Sequence, residues 1–166
     1  MTLDTLNKVE EIPADIVKMV RKSVIDTFES ITGDVPEYID EPARDAGPLN
    51  GMIGNIAVFN NDYTLSLMLA IPKETAVALS EVFIGMELPF ESEDMGDLIG
   101  EVSNILAGDV AANVEKVGFR GQSSLPTATR GSDLTLFMPN KPPTEKMKFQ
   151  NANGEFWLTL ALSESK

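Results

Sequence analysis

The chain is predicted to be an α+β protein in which an antiparallel sheet packs against long helices. Long stretches carry apolar residues at a period near 3.6, others alternate around turn-type clusters, and the order is helix, strands, helix, helix, strands. At 166 residues the chain suits a single domain, able to bury about 70% of its unfolded surface.

From Pro13 to Ile31, the residues Ile16, Val17, Val20, Val24, Phe28 and Ile31 form one apolar stripe, which predicts a helix stopped at Gly33 and Pro36. "PEYIDEPARDAGPLNG" is rich in Pro, Gly and acids and reads as a loop. "MIGNIAVF" and "YTLSLMLAI" flank Asn60-Asn61-Asp62 and predict a hairpin, with Tyr63, Leu65, Leu67, Leu69 and Ile71 on one face. "KETAVALSEVFIG" reads as a shorter helix ended by Gly85. A long helix then starts behind Ser92, an N-cap residue type, with Glu93 and Asp94 in its first turn, and runs to about Lys116 or Val117. "FRGQSSLPTATRG" is turn-rich, with a short extended segment from Pro126, and "DLTLFM" is strand-like. "MKFQ" and "EFWLTLAL" form a second hairpin across Asn151-Ala152-Asn153-Gly154.

The two halves echo each other. "VIDTFESITGDV" (24–35) aligns without gaps on "IGEVSNILAGDV" (99–110), and "DYTLSLML" (62–69) on "EFWLTLAL" (155–162). One domain, 1–166, is therefore expected to hold two helix-plus-hairpin pseudo-repeats, at about 12–85 and 86–163.

Composition excludes several chemistries. The chain has neither histidine nor cysteine, which rules out Ser-His-Asp and Cys-His catalysis, disulfides and the usual zinc sites. No phosphate-binding glycine loop is present. A net charge of −13 repels nucleic acid and favours a partner with a basic patch. No apolar run approaches the ~18 residues of a membrane span, and no signal sequence opens the chain, so a cytoplasmic protein without membrane insertion is expected.

The second long helix carries the candidate site. Asp97, Glu101, Asn104 and Gly108 recur at +4, +3 and +4, opposite Met95, Leu98, Ile99, Val102, Ile105 and Leu106. Asn and Gly both lower helix stability, Gly by about 1 kcal/mol, so their retention points to a packing contact or a site. Asp97, three residues, Glu101, two residues, Asn104, twenty-one residues, Pro126 is an order expected by chance about once in a thousand chains of this size.

That order resembles the signature of the CheC/CheX/FliY phosphatases of chemotaxis, as do "FESITGDV" and "IGEVSNILAG", and the likeness runs from about residue 12 to 163. Under the repeat alignment, Glu101 and Asn104 fall on Asp26 and Glu29, so the first half lacks the acid–amide pair. A single pair is the CheX-type pattern. The resemblance implies a CheC-like fold and dephosphorylation of the aspartyl phosphate of a CheY-like receiver. Asn104 would orient the attacking water and Glu101 would contact a receiver lysine. Asp97, Gly108 and Pro126 are candidate binding residues: Asp97 either aids docking or is solvated, Pro126 either starts a strand or touches the partner, and Gly108 either permits close approach or ends the helix. The resemblance also implies homodimers joined by sheet pairing. It gives this chain no cofactor or metal of its own, and places Mg²⁺ on the receiver. A non-catalytic receiver-binding module, or a flagellar-switch component, is the alternative on the same scaffold.

Overall fold

The computed structural model describes residues 9–40, 48–138 and 140–165. Helix α1 spans Ala14–Thr32 and ends on Gly33, whose φ of 75° lets its N–H return to the carbonyl of Glu29. Strand β1 (Glu37–Ile39) follows, then β2 (Leu49–Phe59) and β3 (Tyr63–Pro72) as the first hairpin. Asn60 Oδ1 closes their turn, accepting from the amides of Asp62 at 2.9 Å and Tyr63 at 2.8 Å. Helix α2 is Lys73–Ile84, ended by left-handed Gly85, and α3 is Glu93–Glu115. As its sequence predicts, α3 is capped by Ser92, whose Oγ accepts from the Met95 amide at 3.2 Å. Strands β4 (Gln122–Ser123), β5 (Thr127–Leu134), β6 (Thr144–Asn151) and β7 (Gly154–Glu164) complete the chain order.

All pairings are antiparallel, in the order β1-β6-β7-β3-β2, with β4 and β5 both on the outer edge of β2. The register of β3 on β7 is symmetric about Leu67↔Leu160, since Leu65 faces Leu162 and Leu69 faces Leu158. A half-turn about that pair exchanges each leucine with its counterpart in the repeat alignment. The outer strands follow the same logic: β1 lies on β6, and β5 on β2.

The helices pack on one face of the sheet. Val20, Val24 and Phe28 of α1 and Ile99, Val102 and Leu106 of α3 share one buried cluster with Leu65, Leu67, Leu69, Phe156, Leu158 and Leu160. Phe28 stacks on Phe156 with centroids 4.1 Å apart, Phe156 on Phe149 at 5.4 Å, and Tyr38 tilts against Phe149 at 5.7 Å. The guanidinium of Arg21 lies 3.9 Å over the Tyr38 ring and ends this column.

Two expectations are corrected. "PEYIDEPARDAGPLNG" is not all loop, because Glu37–Ile39 pairs with β6 and Leu49 already belongs to β2; positions 41–47 of that stretch lie outside the described residues. "DLTLFM" contributes only Asp133 and Leu134 to the sheet, since β5 runs from Thr127. The ladder shifts register between Leu49 and Gly51, and Asp133 takes a φ of 55° with its amide donating to Asn50 Oδ1 at 3.0 Å. Beyond that kink Phe137 is 82% exposed.

Candidate functional site

The site is a face of α3 whose orientation is fixed from beneath. Met95, Leu98, Ile99, Val102 and Leu106 are buried and hold the helix on the sheet, with Ile105 half-buried. The seat is close: a Cβ added to Gly54 of β2 would stand 2.0 Å from Ser103 Oγ, so glycine is required under the helix. Ser103 satisfies its hydroxyl internally, donating to the Ile99 carbonyl at 2.7 Å.

Polar contacts lock α3 against α1. Thr27 Oγ1 donates to Asp109 Oδ2 at 2.5 Å and Asn113 Nδ2 donates to Ser23 Oγ at 2.8 Å, while Lys116 Nζ at the end of α3 itself donates to Asn113 Oδ1 at 3.2 Å and holds that amide in place. At the other end, Arg130 of β5 donates to the carbonyls of Ser92 at 2.8 Å and Phe90 at 3.2 Å, fastening the approach to α3. Rotation of α3 about its axis would break both sets.

With the helix so held, Asp97, Glu101, Asn104 and Gly108 are all exposed. Glu101 and Asn104 stand one turn apart, about 4.5 Å along the axis. Among the described residues, none hydrogen-bonds to or ion-pairs with the side chains of Asp97, Glu101 or Asn104. The helix continues through Gly108 to Glu115, so this glycine does not end it, and a Cβ added there would meet nothing within 4 Å. Pro126 is half-buried just before β5, and it shares with Asp97 a cleft of about 640 Å³ between α3 and β5. Met52, Gly96, Gly100 and Arg130 also line it. The structure thus brings Asp97 to Pro126, sets Glu101 and Asn104 beside them along the helix, and leaves Gly108 a turn further on. Gly96, Gly100 and Arg130 escaped the sequence reading. Two glycines four apart inside a helix were the available signal.

In α1 the equivalent positions are engaged or altered, for Asp26 is bound by Lys22 and Glu29 is an exposed carboxylate. An outward amide can accept a hydrogen bond from water and donate another, and the neighbouring carboxylate can bind a cation. Neither is a nucleophile as placed. Among the described residues no group of three or more acids could hold a metal ion, and no helix is long and apolar enough to cross a membrane.

This helix-on-sheet architecture is that of the CheC-like proteins. A CheC-like superfamily protein from Shewanella superposes with a TM-score of 0.78 at 15% identity, over 92% of this chain and 99% of its own. The chain belongs to the CheX family, whose sequence model, described as chemotaxis phosphatase CheX, matches residues 52–148. The chemotaxis protein CheX of Vibrio vulnificus superposes with a TM-score of 0.80 at 15% identity, covering 90% of this chain and 100% of that one. A CheX–CheY–BeF3–Mg²⁺ complex from Borrelia burgdorferi provides a chain that superposes at 0.70 with 16% identity, over 92% and 100%. No curated protein matches the chain in sequence.

Proposed function

We propose that the chain dephosphorylates the aspartyl phosphate of a CheY-like response regulator in chemotaxis signalling. The observation that carries the reading is the outward Asn104, without a partner among the described residues, one turn from Glu101 on a helix locked in place. Membership of a family of chemotaxis phosphatases supports it, and so does the similarity to a CheX chain bound to CheY.

In this mechanism Asn104 holds a water in line with the phosphorus, accepting one of its hydrogen bonds without adding negative charge beside the phosphoryl oxygens. Glu101 binds a lysine on the receiver and so sets the depth at which Asn104 enters. The receiver brings Mg²⁺, which neutralises charge on the transferring group. Developing metaphosphate character removes the need for a strong base on this chain. The protein acts in the cytoplasm as a homodimer, which its mass in solution would check.

Phosphate release from a phosphorylated CheY-like receiver with Mg²⁺, with and without this protein, tests the proposal. The protein accelerates release, and Asn104→Ala abolishes the acceleration. Equal rates for Asn104→Ala and wild type overturn the role of Asn104. Binding without acceleration by the wild type replaces the enzyme with a receiver-binding module.

A further inference from the structure

The two long helices differ in what lies beside them. Under the repeat alignment Gly96 and Gly100 of α3 fall on Arg21 and Ile25 of α1. On the strands, Tyr38 sits opposite Phe149 on β6, and extending the β2–β5 register by one residue beyond Asn55↔Thr127 sets Pro126 opposite Ile56 on β2. In the first half these helix positions are filled, for Arg21 lies 3.9 Å over the Tyr38 ring and Ile25 packs against the core. In the second half glycine stands in place of both side chains, and a cleft lies open between α3 and β5. Added Cβ atoms at Gly96 and Gly100 would meet nothing within 4 Å. Two positions that carry packed side chains on α1 are therefore bare on α3.

The charge around the cleft selects an occupant. Glu93 and Asp97 stand on its lip, and among the described residues nothing pairs with either side chain. Its own cation, Arg130, is already committed to the carbonyls of Phe90 and Ser92 and lies 3.7 Å from Glu91. In α1 the residues aligned with Glu93 and Asp97 are Lys18 and Lys22, so the sign of this lip is reversed between the halves.

We infer that the cleft receives a lysine or arginine side chain of the phosphorylated partner, in addition to the Glu101 contact. The aliphatic stem lies over Gly96, Gly100 and Met52, and Glu93 and Asp97 hold the charged head. Gly100 is one turn before Asn104, so this second anchor sits directly beside the amide and discriminates between receivers by the charge they present there. The inference rests on the partner proposed above.

Calorimetric titration of the whole protein with a CheY-like receiver from the same genome, activated by beryllofluoride and Mg²⁺, tests it. Gly96→Leu fills the cleft and should weaken binding about tenfold or more. Its unfolding midpoint should equal or exceed that of wild type, because leucine is the better helix former. Asp97→Lys should weaken binding at least as much, and Asp97→Asn should flatten the dependence of affinity on salt. Wild-type binding with Gly96→Leu and Asp97→Lys both within about twofold of it overturns the cleft inference alone. Failure of the wild type to bind overturns both this and the proposed partner.

Discussion

Gly54 and Ser103 touch where α3 meets β2, and the space between them holds no methyl group: an added Cβ would stand 2.0 Å from the serine oxygen and 3.2 Å from its Cβ. The helix that carries Glu101 and Asn104 takes its height above the sheet from this contact. Gly54→Val should therefore destabilise the protein by about 1–3 kcal/mol, the usual cost of overpacking, and displace the site. Denaturant unfolding together with phosphate release checks both effects. Ser103→Gly combined with Gly54→Ala should recover part of the stability lost by Gly54→Ala alone, a coupling expected only if the two residues compete for one volume.

The Thr27–Asp109 bond predicts a second coupling. Each single substitution, Thr27→Val or Asp109→Ala, should cost about 1–2 kcal/mol by leaving its partner, half-buried Asp109 or buried Thr27, unsatisfied. The double variant should cost less than the sum, with an interaction of about 0.5–3 kcal/mol in a double-mutant cycle. Strict additivity would show that the bond contributes nothing to the α1–α3 contact.

Gly108 lies inside a helix with open space beside it. Gly108→Ala should raise stability by about 0.5–1 kcal/mol, measured by chemical denaturation. Stabilisation accompanied by weaker receiver binding would mark the residue as one kept for the partner's close approach.

Glu101 is exposed and has no partner among the described residues, so Glu101→Lys should alter stability by no more than about 0.5 kcal/mol. Its affinity for the activated receiver should fall far more, because the substitution sets like charges against each other. A variant that binds as tightly as wild type would remove Glu101 from the docking surface.

The helices were legible because their ends are chemically marked. Gly33 and Gly85 take the left-handed conformation that their position past an apolar stripe suggests, and Ser92 makes the cap its residue type favours. The face bearing Asp97, Glu101, Asn104 and Gly108 was legible for the same reason, since helical periodicity alone separates it from Met95, Leu98 and Ile99. The edge strands were so only in part, for an extended segment was expected from Pro126 but not its length or its partner. Thr127–Leu134 is mostly polar and exposed, so its pairing with β2 leaves little hydrophobic trace, while "DLTLFM" alternates convincingly and is then broken at Asp133. The cleft was hidden in consequence. It exists only once β5 is placed beside Gly96 and Gly100, and no periodicity along α3 reports where a neighbouring strand will lie.

The reciprocal placement of the outer strands bears on how the molecule comes to be. Strand β1 waits for β6, and β7, the last strand in chain order, is inserted between β6 and β3. Neither half can finish its own sheet from its own sequence, and the middle of the molecule is made last. Pairings so distant along the chain are slow to form. A growing polypeptide would reach the ribosome exit with its first hairpin unsupported on one flank, and could complete the β3–β7 pairing only once residues up to Glu164 had emerged.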